Sequence, residues 1–321
     1  MILNKDLFTD KQEWKATRDG LGEGLAEAGK KNKNVYVLTA DLGGSTKTTK
    51  FKEMFPERFV QVGVAEQNLA TVASGLAHMG KIPFITSFSV FSPGRNWEQI
   101  RTTICYNNQP VKITSTHSGL GVGEDGATHQ ALEDIAITRS LPNIDVIVPC
   151  DALQAKKAVL AVSRTKKPCY VRLNRQKTPL ITTNKTGFKI GEAQVLKEGK
   201  HLTIIACGPM VYEALLAAKE LEKEKIKVTI INMHTIKPLD KKTIIKYAKK
   251  TKKVLTVEDH QVHGGLGGAV AEAISQEEPV KMKIMGLNGF GESGPYKELF
   301  KKYGLTYKDI IREAKKLVRK K

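Results

Sequence analysis

Short apolar runs alternate with helical stretches along nearly the whole chain, and this alternation fixes the fold class. Strand-like runs at 34–40, 59–62, 82–89, 111–116, 145–148 and 169–173 are separated by helical patterns at 11–30, 67–78, 96–106, 131–140 and 152–164. That order predicts a mainly parallel sheet with helices on both faces. A polar, turn-prone stretch, 178–187, reads as a linker. A second alternating unit follows, with strands at 201–207, 227–232, 253–257 and 280–285, and helices at 210–221, 241–249, 268–276 and 307–319. At 321 residues the chain is longer than one typical core requires. The expectation is two consecutive three-layer α/β domains with mainly parallel sheets, residues 1–185 and 186–321.

The formal net charge of +19 raises nucleic acid as a partner. The lysines, however, gather in EKEKIKV, DKKTIIKYAKKTKK and REAKKLVRKK, largely on predicted helices of the C-terminal third. Solvated helix faces are the preferred reading of such runs. No nucleic-acid partner is expected, whereas anionic substrates or an acidic partner subunit would suit the charge. No run of about 18 apolar residues occurs, so no membrane span is expected. The opening MILNKDLFTDKQEWK lacks the apolar core of a secretory leader. Cys105, Cys150, Cys169 and Cys207 are scattered without a CxxC pair, which predicts buried, reduced thiols in a cytoplasmic protein.

Ligands of parallel α/β sheets bind beyond the carboxyl ends of the strands. Asp41, Glu66, Phe88, His117 and Arg175 all fall at or just past such ends. Glu66 stands where the strand FVQV turns into a small-residue helix. A carboxyl there can simply complement the helix dipole. Among apolar neighbours its charged form is disfavoured, which makes it a candidate acid/base group. Phe88 and Phe91 are either core residues or a wall for a planar ligand. The long loop HSGLGVGEDGATHQ gathers His117, Asp125 and His129, and long loops in compact domains tend to be functional. The spacing fits no metal motif, and no metal ligand is assigned to this chain.

GVAEQN around Glu66, SFSVF around Phe88, THSGLGVGEDGATHQ and the LPN that follows resemble the pyrimidine-binding and C-terminal portions of transketolase. The resemblance covers essentially the whole chain. Transketolase-type enzymes hold the diphosphate and Mg²⁺ of their cofactor through a GDG motif, which does not occur here. The chain therefore resembles the C-terminal subunit of a split transketolase that works beside an N-terminal subunit. The resemblance implies thiamine diphosphate shared with that partner, Mg²⁺ bound by the partner, a homodimer through the first domain and a heterotetramer overall.

Residue by residue, Glu66 matches the glutamate that bonds the aminopyrimidine ring and governs its proton. Phe88 and Phe91 match the aromatic pocket around that ring, and Asp41 with Leu42 matches a cofactor contact near the subunit interface. Arg18, Ser45 and Arg175 match the groups that grip a sugar phosphate. His117 and His129 match histidines near the reacting carbonyl and hydroxyls, able to exchange protons near neutral pH. Asp125 matches the residue that bonds the hydroxyl beside the carbonyl. Two departures stand out: Gly94 where long members carry Tyr, and Ala127 where they carry Pro. Of the related classes, 1-deoxyxylulose-5-phosphate synthase has a loop resembling GVDGPTHH, so GEDGATHQ favours transketolase. The 2-oxo acid dehydrogenase beta subunit lacks this histidine-rich loop. HGGLGGAV at 263–270 lacks GxGxxG spacing and reads as a tight turn into a helix.

Overall fold

The structure, a computed structural model, describes residues 3–319; the last two lysines of the terminal basic run lie outside them. It is a pair of mainly parallel sheets, each covered by helices on both faces. After a short strand β1 (Trp14–Ala16), the first sheet is built from β2 (Val35–Thr39), β3 (Phe59–Gln61), β4 (Ile82–Phe88), β5 (Lys112–Thr116), β6 (Asp145–Ile147) and β7 (Cys169–Arg172). All six run parallel, in the order β6-β7-β5-β4-β2-β3. Their residues alternate between two buried clusters. Val35, Val37, Phe84 and Val171 pack beneath α1 (Thr17–Lys31) and a later helix, Ala152–Val162. Leu38, Ile85, Ile113 and Tyr170 pack on the other side with α3 (Glu66–His78), which follows the short helix α2 (Thr49–Met54). Burial on both faces is the physical reason these strands are apolar along their whole length.

The helix expected over 96–106 is α4 (Trp97–Gln99), continued as a π-helix through Ile100–Tyr106. The helix expected over 131–140 is shorter, α5 (Asp134–Arg139). The opening helix starts at Thr17 rather than near residue 11, because Trp14–Ala16 is extended and pairs with β8 (Lys177–Pro179). The stretch expected to be a linker is therefore tied down. Asp151, which caps α6 (Ala152–Val162), also accepts the Ile181 and Thr182 N–H groups at 2.8 and 2.6 Å.

The second sheet takes β9 (Gln194–Lys197), β10 (Leu202–Ala206), β11 (Val228–Asn232), β13 (Lys253–Gln261) and β14 (Lys281–Leu287), in the order β14-β13-β10-β11-β9 with β9 antiparallel. Between β11 and β13 the chain returns to the first sheet, where β12 (Thr235–Lys237) pairs antiparallel with β6. A division at residue 185 thus leaves one strand of the first sheet on the far side. Around the second sheet lie α7 (Met210–Lys223), α8 (Lys241–Thr251), α9 (Leu266–Glu277), α10 (Tyr296–Lys302) and α11 (Tyr307–Arg319). On α8 the buried residues are Ile244, Ile245, Tyr247, Ala248 and Thr251, while its lysines face solvent. The four cysteines are buried and unpaired with one another. Among the described residues no helix is long and apolar enough to cross a membrane.

α1 is rich in glycine because it lies against α6 at close range. A Cβ on Gly20 would stand 2.0 Å from the Ala152 carbonyl oxygen, and one on Gly24 would stand 2.8 Å from Val159 Cβ. Gly20→Ala should destabilise the protein by about 1–3 kcal/mol, the usual cost of overpacking, because a backbone oxygen cannot swing aside. Thermal denaturation beside Gly44→Ala, whose added Cβ meets nothing within 4 Å, checks this. Equal melting points for the two variants would refute the close packing.

Candidate active site

The carboxyl edge of the first sheet collects most of the residues singled out from the sequence. β5 ends at Thr116, and His117 follows with φ 58°. Its ring stacks on Phe88 at 3.7 Å between centroids. Phe88 stacks in turn on Phe91 at 6.1 Å, and His129 meets Phe91 edge-on at 5.6 Å. These four rings form a continuous aromatic wall past the ends of β4 and β5. Arg18, from α1, reaches in beside it, with Nη1 3.4 Å from His117 Nε2 and 3.0 Å from the Ser45 carbonyl oxygen. Ser45 thus holds the arginine through its backbone.

Opposite Arg18 lies Arg175, just beyond β7. Its Nη1 donates to the Val122 carbonyl and stands 3.3 Å from Glu124 and 3.6 Å from Asp125. Arg18, Arg175, Gln176, Tyr296 and the backbone of Gly121–Glu124 enclose a cleft of about 140 Å³. Two guanidinium groups around a small cleft suit a planar or tetrahedral oxyanion. The 118–130 loop is not an open coil. Leu120–Asp125 winds into two short 3₁₀ turns kinked at Gly123, with Leu120 to Gly123 buried.

The charge state of His117 departs from the sequence reading. Burial, with the charges of Arg18 and Arg175 nearby, pushes its pKa down to about 3. It is therefore neutral near pH 7. Because arginine can only donate, Nε2 is the bare nitrogen, and Nδ1–H donates to Thr116 Oγ1 at 2.8 Å. His117 offers a fixed acceptor beside Arg18.

Glu66 is the first residue of α3, and its side chain is 1% exposed. It does not sit among apolar groups alone, as the sequence implied. Arg95 Nη1 donates to Glu66 Oε2 at 2.8 Å, and the guanidinium lies 4.6 Å over the Phe91 ring. Asn96 Nδ2 fastens the Glu66 carbonyl at 2.9 Å. The departure at Gly94 has a local cause here. A Cβ at that position would sit 2.0 Å from the Val90 carbonyl oxygen, so no tyrosine fits, and Arg95 covers Phe91 instead. Sequence reading missed Arg95, although its place one turn after Phe91 was a usable signal.

Asp41 and Leu42 stand apart from this cluster. The Asp41 N–H and carboxylate pair with the Gln61 side chain at 2.8 and 3.3 Å, and Leu42 N–H meets Thr39 Oγ1 at 3.4 Å. Both lie at the β2 end of the same sheet edge, with Asp41 exposed. Among the described residues no group of three His, Cys, Asp or Glu side chains is arranged to hold a metal ion.

Comparison with known proteins returns two family domains in the order of the two sheets. Residues 14–180 match the transketolase pyrimidine-binding domain, and residues 191–310 match the transketolase C-terminal domain. A Methanocaldococcus jannaschii chain described as a transketolase C-terminal section is 47% identical over 312 residues, 96% of this chain and 98% of that one. A 6-deoxy-6-sulfo-D-fructose transketolase subunit of a Clostridium species is 38% identical, over 98% of each chain. A solved structure described as a split-gene transketolase, an inactive β4 tetramer, superimposes with a TM-score of 0.89 at 44% identity, over 94% of this chain and 98% of the other. With both family domains matched in order along the chain and a relative 47% identical over nearly the whole of it, the chain belongs to the transketolase family.

Proposed function

We propose that this chain is the C-terminal subunit of a split transketolase. With an N-terminal companion it would transfer a two-carbon ketol unit from an anionic ketose to an aldose phosphate. The observation that carries this reading is the contact between Arg95, Glu66 and Phe91. A planar cation donates to a buried carboxylate and stacks on a phenyl face at one spot. A protonated or aminated heteroaromatic ring calls for the same two contacts, so the residues fit the pyrimidine of thiamine diphosphate. When bound, that cofactor would supply the nucleophilic carbon that the side chains of the protein lack.

The chain's own residues have separable tasks in this reading. Glu66 would hold the ring nitrogen and share its proton. Phe91 and Phe88 would fix the ring plane. Arg18 and Arg175 would bind the terminal oxyanion of the sugar, and His117 Nε2 would accept from a substrate hydroxyl once Arg18 turns to the anion. Asp125 and His129, on the same loop, would meet the hydroxyls nearer the reacting carbon. The Clostridium relative is named for a sugar that carries a sulfonate. The common requirement is thus an anionic end group, and the pentose phosphates are one set within it.

The likeness to a transketolase C-terminal section and to a split-gene transketolase supports an N-terminal companion, which would hold the diphosphate and its metal. The solved split-gene relative is described as a β4 tetramer, which supports self-association of this chain. A homodimer clasped by two companions would make the heterotetramer.

Three outcomes test the proposal. The purified chain should show little turnover until a companion carrying the GDG motif is added, and full activity of the chain alone would overturn the split reading. In the reconstituted complex, Glu66→Gln should lower turnover by at least about a hundredfold, as expected for loss of an acid/base group. It should leave the complex folded and loaded with cofactor; unchanged turnover with a lowered melting point would make Glu66 structural. Arg95→Ala should tighten thiamine diphosphate binding by about three- to tenfold, because an occupied site reduces apparent affinity by the fraction that is open. Titration of cofactor into the complex measures it, and weaker binding would mean that Arg95 assists the cofactor instead of standing in its place.

A further inference from the structure

The loop that would handle substrate, residues 117–130, belongs to the first domain but is also held by the second. Its own backbone has little preference. Gly119, Gly123 and Gly126 have φ of 76°, 81° and 77°, a region that glycine enters freely among many others. First-domain groups hold part of it, such as Arg175 on the Val122 carbonyl and Asn174 on the Ser118 carbonyl, and the C-terminal domain adds further contacts. Asp259, near the end of β13, accepts the Leu120 N–H through Oδ1 at 2.9 Å. It lies so close to the loop that a Cβ on Gly119 would stand 2.1 Å from its Oδ2. Farther along, Ser293 Oγ donates to the Glu124 carbonyl at 2.6 Å, and Gln130 Nε2 donates to the Glu292 carbonyl at 3.0 Å.

We propose that Asp259 is a positioning residue for the substrate loop, holding the turn at Gly119–Leu120 so that His117 and Asp125 keep their places beside Arg18 and Arg175. This deepens the transketolase reading above and rests on it for its kinetic part.

Asp259 is suited to the task because it is rigidly held. It is 1% exposed, and Arg172 Nη2, from the first sheet, donates to its backbone carbonyl at 2.8 Å. Two residues on, the Gln261 N–H donates to the Leu132 carbonyl just past the loop at 2.9 Å. Among the described residues Oδ2 meets no hydrogen-bond partner at normal geometry, though the Gly121 N–H lies close to the carboxyl, and burial raises its pKa to about 6. A buried carboxyl with one idle oxygen is an expensive structural filler. What it adds is an acceptor at a fixed depth, beside a glycine that leaves it room. Asparagine has the same reach and an equivalent Oδ1, whereas alanine has no acceptor.

The test compares Asp259→Ala with Asp259→Asn by two readouts. In the isolated chain, without cofactor, amide hydrogen exchange over 119–126 should quicken by about five- to tenfold in the alanine variant, the scale of one lost hydrogen bond. The asparagine variant should stay close to the parent. In the reconstituted complex the alanine variant should raise the KM for the donor ketose by a similar factor, with thiamine diphosphate affinity unchanged and rescue by asparagine. Should the alanine variant fail to fold, Asp259→Ser takes its place, being polar but too short to reach Leu120. Unchanged exchange in the loop, or equal harm from alanine and asparagine with cofactor binding lost in both, would overturn the proposal. If the complex turns over no sugar phosphate at all, the transketolase reading fails, and the exchange comparison still decides whether Asp259 holds the loop.

Discussion

The rest of the structure depends on one guanidinium, that of Arg172. It sits at the end of β7, 1% exposed, and faces both domains at once. Its Nε donates to Asp134 at 2.7 Å, while Tyr170 donates to the same carboxylate oxygen at 2.6 Å. Its Nη2 crosses to the Asp259 carbonyl of the second domain. Asp134 in turn starts α5, a few residues after the 117–130 loop. Removing one partner of a buried charge pair typically costs about 3–5 kcal/mol, because the other charge is left without compensation. Here the loss would fall on the sheet end, the domain interface and the exit of the loop together. The active-site edge and the domain interface are thus held by a single polar core.

That core explains why the site can be built from groups that favour no strong structure of their own. The loop is mostly glycine and short polar residues, and the aromatic wall is four rings from three different segments. Each is fixed by something stiffer behind it. His117 is clamped between Thr116 and Arg18, which sets its tautomer as well as its position. Glu66 is held at a helix start, with Asn96 on its carbonyl and Arg95 on its carboxylate. A charged carboxylate almost wholly out of water needs such a partner.

The architecture was legible in the sequence because both sheets are buried on two faces. Continuous apolar runs such as VYVLT and IPFITSF leave few alternatives to a parallel sheet. The positions past the strand ends were legible too, since the geometry of such sheets puts them on one edge. What was not legible has identifiable causes. Lys177–Pro179 reads as a turn, but it gains a strand partner some 160 residues earlier that no local pattern reveals. Residues 235–237 are too few to register as a strand, and their pairing with β6 comes from tertiary packing. The neutral state of His117 depends on burial and on two arginines from other segments. Arg95 escaped notice because an arginine in a turn looks like a solvated residue until a buried glutamate is found beneath it. Asp259, in the run VEDHQ, resembles a surface acid, and its burial follows only from the approach of the two domains.

The return of β12 to the first sheet bears on how such a chain can be divided. The boundary between the two sheets in space is not a boundary along the polypeptide. A fragment ending near residue 185 would present the edge of β6 bare, with its backbone groups open to any other strand. The remaining fragment would carry three residues whose partners had gone. A cut there would divide one sheet and not merely two domains, so the pair is tied by backbone pairing as well as by packing.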